Sequence, residues 1–326
     1  MEPHRTDPPP RRGIGCLLLL MALLAGLGFV GMAVAGLGGL GGAASPIEEI
    51  VEKVEPGASR KLVIIDVRGV LVRAGGMAGG VTEATLAMLE RAGEDESVAG
   101  VLLAVDTPGG SVTDADLIHH AIRRLREKKR RVLVHMGDLC ASGGYYLAVA
   151  ADEIWALPTT VTGSIGVIIN NIELGGLLDR FGVRDDSITS GQNKQMLSPF
   201  APLTDEQRAL LQGIVDSMYA RFLDVIVKGR GIEIEALRPI ADGRLLTAEQ
   251  AREAGLVDRI DYPKAALARL GALAGEGPFT VVRYRSEPGL FDLFRARLGA
   301  SERPLVAELL QGPRAMYLHG PPALVR

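Results

Sequence analysis

The pattern of apolar and polar positions divides the chain near its start. From Gly13 to Ile47 no residue is charged, and the run GIGCLLLLMALLAGLGFVGMAVAGLGGLGG follows directly on Arg11 and Arg12. A stretch of about 20 apolar residues suffices to cross a bilayer, so this run predicts one N-terminal transmembrane helix. Residues 13–42 are then an anchor behind a short cytoplasmic tail, residues 1–12. Arginines flanking a first span resist translocation, which places the rest of the chain on the extracytoplasmic side of the cell membrane. Ala33-Val34-Ala35 also fits a small-x-small cleavage pattern, so a signal peptide cut at Ala35 stays open, although the uncharged run outlasts a usual signal core. Cys16 lies inside the run and reads as a membrane-buried residue rather than a lipid acceptor.

Past the apolar run the periodicity changes. Residues 43–60 are short and charged and read as a linker or a brief helix. KLVIIDV (61–67) and GVLLAVD (100–106) are aliphatic runs suited to buried strands, and between them Leu86 and Leu89 fall at helical spacing from Thr82 onward. Strand, helix, strand is the grammar of a parallel sheet. A charged helix is expected over Asp114 to Lys129, then a strand through Val132-Leu133-Val134, a helix starting at Ser142, and strands near Ile154-Trp155-Ala156 and from Ile165 to Ile169. Thr204 and Gln207 have capping-box spacing ahead of a long helix with Leu211, Ile214, Met218, Phe222 and Val225 on one face, ending at Gly229-Arg230-Gly231. Residues 61–277 thus read as one α/β domain without internal repeats, followed by a Pro- and Arg-containing tail, 278–326.

Composition narrows the chemistry. Lys plus Arg number 36 against 39 Asp plus Glu, a formal charge of −3, which speaks against general nucleic-acid binding. The basic end of the charged helix, Arg123 to Arg131, reads as a solvated C-terminus. Two cysteines exclude a disulfide scaffold. No metal-ligand spacing, phosphate loop or dinucleotide fingerprint stands out, so no cofactor and no metal are expected.

The densest unusual segment is Gly137 to Asn171. A serine followed by two glycines at a strand-to-helix turn can place its hydroxyl among free helix N–H groups, which makes Ser142 a nucleophile candidate; the plain alternative is an N-cap serine. A histidine base is poorly supported. His4 precedes the anchor, His119 and His120 lie on a charged helix, His135 sits in an apolar strand, and His319 is close to the C-terminus. A neutral lysine is the other base for a serine, and Lys194 is the single charged residue between Asp186 and Asp205. Ser164 could orient such an amine, or be a turn serine. Thr107-Pro108-Gly109-Gly110 ends a strand in a loop whose backbone could approach an oxyanion, or be an ordinary turn. Cys140 reads as a small buried residue.

DTPGGSV around Gly109, MGDLCASGGYYLAVAADEI around Ser142, TGSIGVI around Ser164, SGQNKQMLSPFAPLTDEQ around Lys194, and KGRG followed by ADGRLLTAEQAREAGLVD stand in order along the chain. Together with the anchor they resemble the membrane-anchored signal peptide peptidases of the protease IV type, in their short bacterial form. The resemblance implies a Clp protease/crotonase-like fold of repeated ββα units and a serine endopeptidase with a Ser/Lys dyad. By position it makes Ser142 the nucleophile, Lys194 the general base, Ser164 the hydroxyl orienting Lys194, and Gly110 and Gly143 the oxyanion donors. It also implies a homo-oligomeric ring, an octamer, in which neighbouring subunits supply serine and lysine, acting on remnant signal peptides and similar apolar peptides at the membrane. Cys140 stands where alanine is more usual, and the terminal PPALVR has no evident counterpart. The rival readings are a related anchored protease cutting a membrane-protein partner, a crotonase-like acyl-CoA enzyme, and a non-catalytic membrane scaffold.

Overall fold

A computed structural model of the chain describes residues 47–73, 80–275 and 277–286, and the backbone of 315–318. The anchor, Cys16, the Ala35 cleavage pattern, His4 and His319 lie outside the described residues. Among the described residues no helix is long and apolar enough to cross a membrane.

Two aliphatic runs form the middle of the sheet, β2 (Arg60–Arg68) and β3 (Val98–Thr107), paired in parallel and joined by helix α1 (Val81–Glu94). Short β4 (Gly109–Ser111) leads into α2 (Val112–Glu127), and β5 (Arg131–Ala141) continues the sheet beside β3. Helix α3 (Gly143–Ala148) is followed by β6 (Glu153–Ala156), β7 (Val161–Gly163), β8 (Ile168–Ile169) and α4 (Gly175–Arg180). Then come the long α5 (Asp205–Arg230), the short α6 (Ile234–Leu237), β9 (Leu245–Thr247), α7 (Ala248–Glu253), β10 (Arg259–Ile260) and α8 (Pro263–Leu273).

Strands β11 (Phe279–Ser286) and β1 (Ile47–Val54) complete one side of the sheet, whose order is β1-β11-β2-β3-β5-β6-β10. All neighbours on this path are parallel except the edge pair β1 and β11. This mixed α/β fold with a mainly parallel sheet fits the Clp protease/crotonase-like architecture.

Both faces of the sheet are buried, which is why its central strands are apolar runs rather than alternating ones. Val63, Ile65, Val101, Leu103, Val132 and Val134 face the larger core under α1, α2, α3 and α5, while Leu62, Ile64, Leu102 and Leu133 face a smaller core under α8 with Ala266 and Leu270. The capping box on α5 is present, Thr204 accepting from the Gln207 N–H and Gln207 from the Thr204 N–H, and the helix ends on left-handed Gly231.

Three local expectations differ from the structure. The segment read as a linker contains β1, an edge strand whose Glu52 pairs with Arg283 of β11 and whose Glu49 pairs with Lys61 of β2. The expected strand from Ile165 to Ile169 is reduced to β8, because Gly163 (φ 81°) and Ser164 (φ 50°) turn the chain between β7 and β8. Of the expected apolar face of α5, Leu211 and Phe222 are buried but Ile214 is 42% exposed, and the α5 residues that pack on the larger core, Met218, Phe222 and Val225 among them, lie in its C-terminal half.

Candidate active site

The site is built by strand β5 changing partners. Its first half, Leu133–Met136, lies between β3 and β6, whereas Leu139, Cys140 and Ala141 pair with Val161, Thr162 and Gly163 of β7. At the handover Asp106 packs against Gly137, where a Cβ would come within 3.2 Å of it, and accepts the Leu139 N–H at 3.2 Å. Strand β5 is thereby carried to Ser142 beside Gly163 and Ser164. The Ser142 N–H donates to the Gly163 carbonyl at 2.9 Å, and the Ser164 N–H to the Arg244 carbonyl at 2.7 Å.

Ser142 has φ 54° and ψ −113°, an unusual conformation for a residue with a Cβ that costs about 1–3 kcal/mol and persists only where its surroundings over-determine it. The residue is 1% exposed, and its Oγ is buried without a hydrogen-bond partner among the described residues. The plain N-cap alternative does not describe it, since its side chain makes no capping bond. A buried hydroxyl left unpaired among the described residues is a cost that folding ordinarily avoids.

Gly109–Ser111 approaches the same place. Thr107, the last residue of β3, donates its hydroxyl to the Gly69 carbonyl at 2.5 Å and accepts the Gly109 N–H at 3.1 Å, fixing the turn. Leu71 holds the other side, its N–H donating to Gly109 and its carbonyl accepting from Ser111, both at 2.8 Å. Gly110 is required by this clasp, because a Cβ there would lie 2.1 Å from the Leu71 oxygen. Gly144, in the first turn of α3, packs so tightly that a Cβ would fall 2.6 Å from the Thr107 methyl. The contact seats Ser142, Gly143 and Gly144 against the strand that leads into the Gly109–Gly110 turn.

The structure therefore brings Ser142, Gly143, Ser164 and the approach to Gly110 together from three separate sequence motifs. Lys194 is not joined to them. It lies exposed in consecutive turns, its N–H donating to the Gly191 carbonyl at 3.0 Å, and among the described residues its Nζ makes no hydrogen bond or ion pair. No histidine bonds to Ser142 among the described residues. His135 is a satisfied core residue whose Nε2 lies 3.0 Å from the Asp261 carbonyl, and burial lowers its pKa. His119 meets Tyr146 edge-on at 5.3 Å, and burial pushes its pKa down to about 4. Cys140 is fully buried, which raises its thiol pKa and leaves it an inert packing residue. Among the described residues no three His, Cys, Asp or Glu side chains gather as a metal site.

A strand lies across the site. The C-terminal segment β12 (Ala315–Leu318) pairs antiparallel with β4, placing Tyr317 opposite Gly110, and antiparallel with β8 on its other side. The gap between β4 and β8 thus accepts an extended chain. This use of the tail, the clasp made by Thr107, and the anchors of α3 on Tyr145 and Tyr146 escaped sequence reasoning. Their only local signals were a threonine ending β3 and two of the chain's six tyrosines side by side after Ser-Gly-Gly.

Residues 124–276 match the model of peptidase family S49. The chain is 36% identical over 242 residues to a putative signal peptide peptidase SppA of Enterococcus faecium, covering 72% of this chain and 70% of that protein. It is 37% identical over 204 residues to a putative protease of Synechocystis sp., covering 63% and 73% of the two chains. Over 238 residues it is 31% identical to Protease 4 of Salmonella typhi, covering 72% of this chain and 38% of that longer protein.

Proposed function

The chain belongs to peptidase family S49 and is a serine peptidase resembling signal peptide peptidase SppA, and on that premise we propose that it is a membrane-anchored endopeptidase whose Ser142 and Lys194 form a catalytic dyad. The observation that carries this reading is the Ser142 hydroxyl, buried and without a partner on a residue held at positive φ. Lys194 Nζ takes the Ser142 proton as Oγ attacks the carbonyl carbon of the scissile peptide. The N–H groups of Gly110 and Gly143 hold the oxyanion, and Ser164 orients the lysine. Collapse of the tetrahedral intermediate breaks the C–N bond, the lysine ammonium returns its proton to the leaving amine, and an ester on Ser142 remains. A water deprotonated by the same lysine attacks that ester, and Oγ recovers its proton as the acid leaves.

The seat of β12 between β4 and β8 supports an extended peptide as substrate, bound by main-chain pairing. Remnant signal peptides and similar apolar peptides suit an anchored enzyme whose body is extracytoplasmic behind Arg11 and Arg12. Lys194 is supplied to Ser142 by a neighbouring subunit of a homo-oligomeric ring. Supporting this, the segments flanking Lys194 expose Phe181 (75%), Ile188 (100%) and Ile214 (42%), apolar side chains that a neighbouring subunit would cover. The test is turnover of an apolar signal-peptide substrate by the full-length protein in lipid vesicles. Ser142→Ala and Lys194→Ala should each abolish turnover with assembly intact; turnover surviving in both would remove the dyad.

A further inference from the structure

Helix α3 is six residues long and wholly buried, and it begins on the strained Ser142, so something outside the helix must hold the serine's conformation. The backbone supplies two ties, Ser142 N–H to Gly163 and Tyr146 N–H to the Ser142 carbonyl, both at 2.9 Å. Two adjacent tyrosines supply the rest. The Tyr145 hydroxyl donates to the Leu256 carbonyl at 3.0 Å, a neutral and fully buried contact. The Tyr146 hydroxyl points to the other side and donates to Asp116 Oδ1 of α2 at 2.6 Å. Arg221 of α5 donates to that same oxygen at 2.6 Å.

Tyr146 is fully buried, while the Arg221 side chain is 58% exposed, so the chain of contacts runs from beside the nucleophile to the surface. Burial works to raise the Asp116 pKa, but Tyr146, Arg221 and His119 outweigh it and hold the carboxyl below its usual range, so it is an ionised acceptor at neutral pH. Phe222, next to Arg221, packs edge-on against the Tyr146 ring at 5.1 Å. At the other end of the same helix, Gln207 donates from Nε2 to the Gln192 carbonyl at 3.0 Å, two residues before Lys194. Gln207 and Arg221 are about 21 Å apart along one continuous helix, at 1.5 Å per residue.

We propose that Asp116, Tyr146 and Arg221 are positioning residues for Ser142, and that through Arg221 helix α5 holds the serine elbow to the element that carries the Lys194 loop. This rests on Ser142 being the nucleophile. The trio touches no reacting atom; it fixes the orientation of α3, and with it the direction of Oγ. A displacement of the order of 1 Å at a reacting atom costs up to about 100-fold in rate, which is the scale on which such a device shows itself.

The test uses the full-length protein in vesicles with the same apolar peptide, measuring kcat, KM, thermal midpoint and assembly. Tyr146→Phe keeps the ring against Phe222 and loses only the hydroxyl; it should lower kcat about 10- to 100-fold with KM within about twofold. Asp116→Ala, which also loses the Arg221 contact, should lower kcat at least as much, and the double variant should be no worse than Asp116→Ala alone, because the tyrosine contact is already gone there. Asp116→Asn keeps an acceptor for the tyrosine and should restore most of the rate. Unchanged kcat in Tyr146→Phe and Asp116→Ala, alongside an inactive Ser142→Ala, would overturn the positioning role and leave the nucleophile standing. Losses that follow the folded fraction, or that multiply in the double variant, would overturn it equally. An active Ser142→Ala would overturn the nucleophile and this inference together.

Discussion

The stretch around Ser142 and the stretch around Lys194 carry the two halves of the proposed dyad, and the fold treats them in opposite ways. Residues 139–148 are almost entirely buried, paired to β7, clasped by Thr107 and tied by two tyrosine hydroxyls. Residues 184–194 are mostly exposed, bond among themselves in turns, and among the described residues are tied to α5 by the side-chain bond from Gln207 to Gln192. A nucleophile must be aimed before substrate arrives, which takes a rigid support. A base delivered to another subunit must instead leave its own body, and its final surroundings come from the partner. Under the proposed dyad, this difference accounts for a serine Oγ and a lysine Nζ that both lack a partner among the described residues.

The comparison breaks most severely at the two residues themselves. Ser142→Ala and Lys194→Ala should each lower the single-turnover rate by about 10⁴-fold or more without lowering the thermal midpoint, as losses within a catalytic unit do. A rate within tenfold of wild type in either would unseat that residue.

Glycine substitutions sharpen the contrast in rigidity. Alanine at Gly110 would place its Cβ 2.1 Å from the Leu71 oxygen, whereas alanine at Gly191 meets nothing within 4 Å. Denaturant titration should find Gly110→Ala destabilised by about 1–3 kcal/mol or more and Gly191→Ala within about 0.5 kcal/mol of wild type. Equal effects would mean that the two arms are equally packed.

The exposed apolar arm is expected to act through assembly. Phe181→Ser and Ile188→Ser should weaken self-association by about 1–2 kcal/mol each, seen as dissociation at higher protein concentration in sedimentation, while leaving the fold of the separated subunit intact. Unchanged association would show that this surface faces water in the assembled enzyme.

The last effect expected is electrostatic and sits under the Ser142 arm. Burial against Tyr146 lowers the His119 pKa from 6.5 to about 4, opposed by Asp116 and supported by the positive charges of Arg123 and Arg221. Between these values the unfolded chain binds more protons than the folded one, so stability falls as pH drops from about 6.5 toward 4, by at most about 1.4 kcal/mol per pH unit. His119→Phe should flatten that part of a stability profile; an unaltered slope would place the acid sensitivity elsewhere.

Much of the fold was legible in the sequence because its signals are local. The aliphatic runs of β2 and β3, the Thr204–Gln207 capping box and the Gly231 stop each depend on residues a few positions apart. Strand β1 was not legible: Glu48, Glu49, Glu52 and Lys53 read as a solvated linker, and only its pairing with β11, more than 200 residues away, makes it an edge strand. The apolar face of α5 was overextended for the same reason, since periodicity does not say where the body beneath a helix ends. At the site, Ser142, Ser164, Gly110 and Lys194 stood out through glycine-rich turns and an uncharged loop. Thr107, Asp116, Tyr146 and Arg221 did not, because their roles arise from contacts among β3, α2, α3 and α5 that no single segment contains.

The central claim is that serine and lysine act across subunits, and complementation between two inactive variants tests it most directly. Full-length Ser142→Ala and Lys194→Ala chains, unfolded together and reassembled in equal amounts, should regain about a quarter of the wild-type sites, the fraction in which an intact serine meets an intact lysine around a head-to-tail ring. Mixed rings of normal size with no more activity than either variant alone would contradict it.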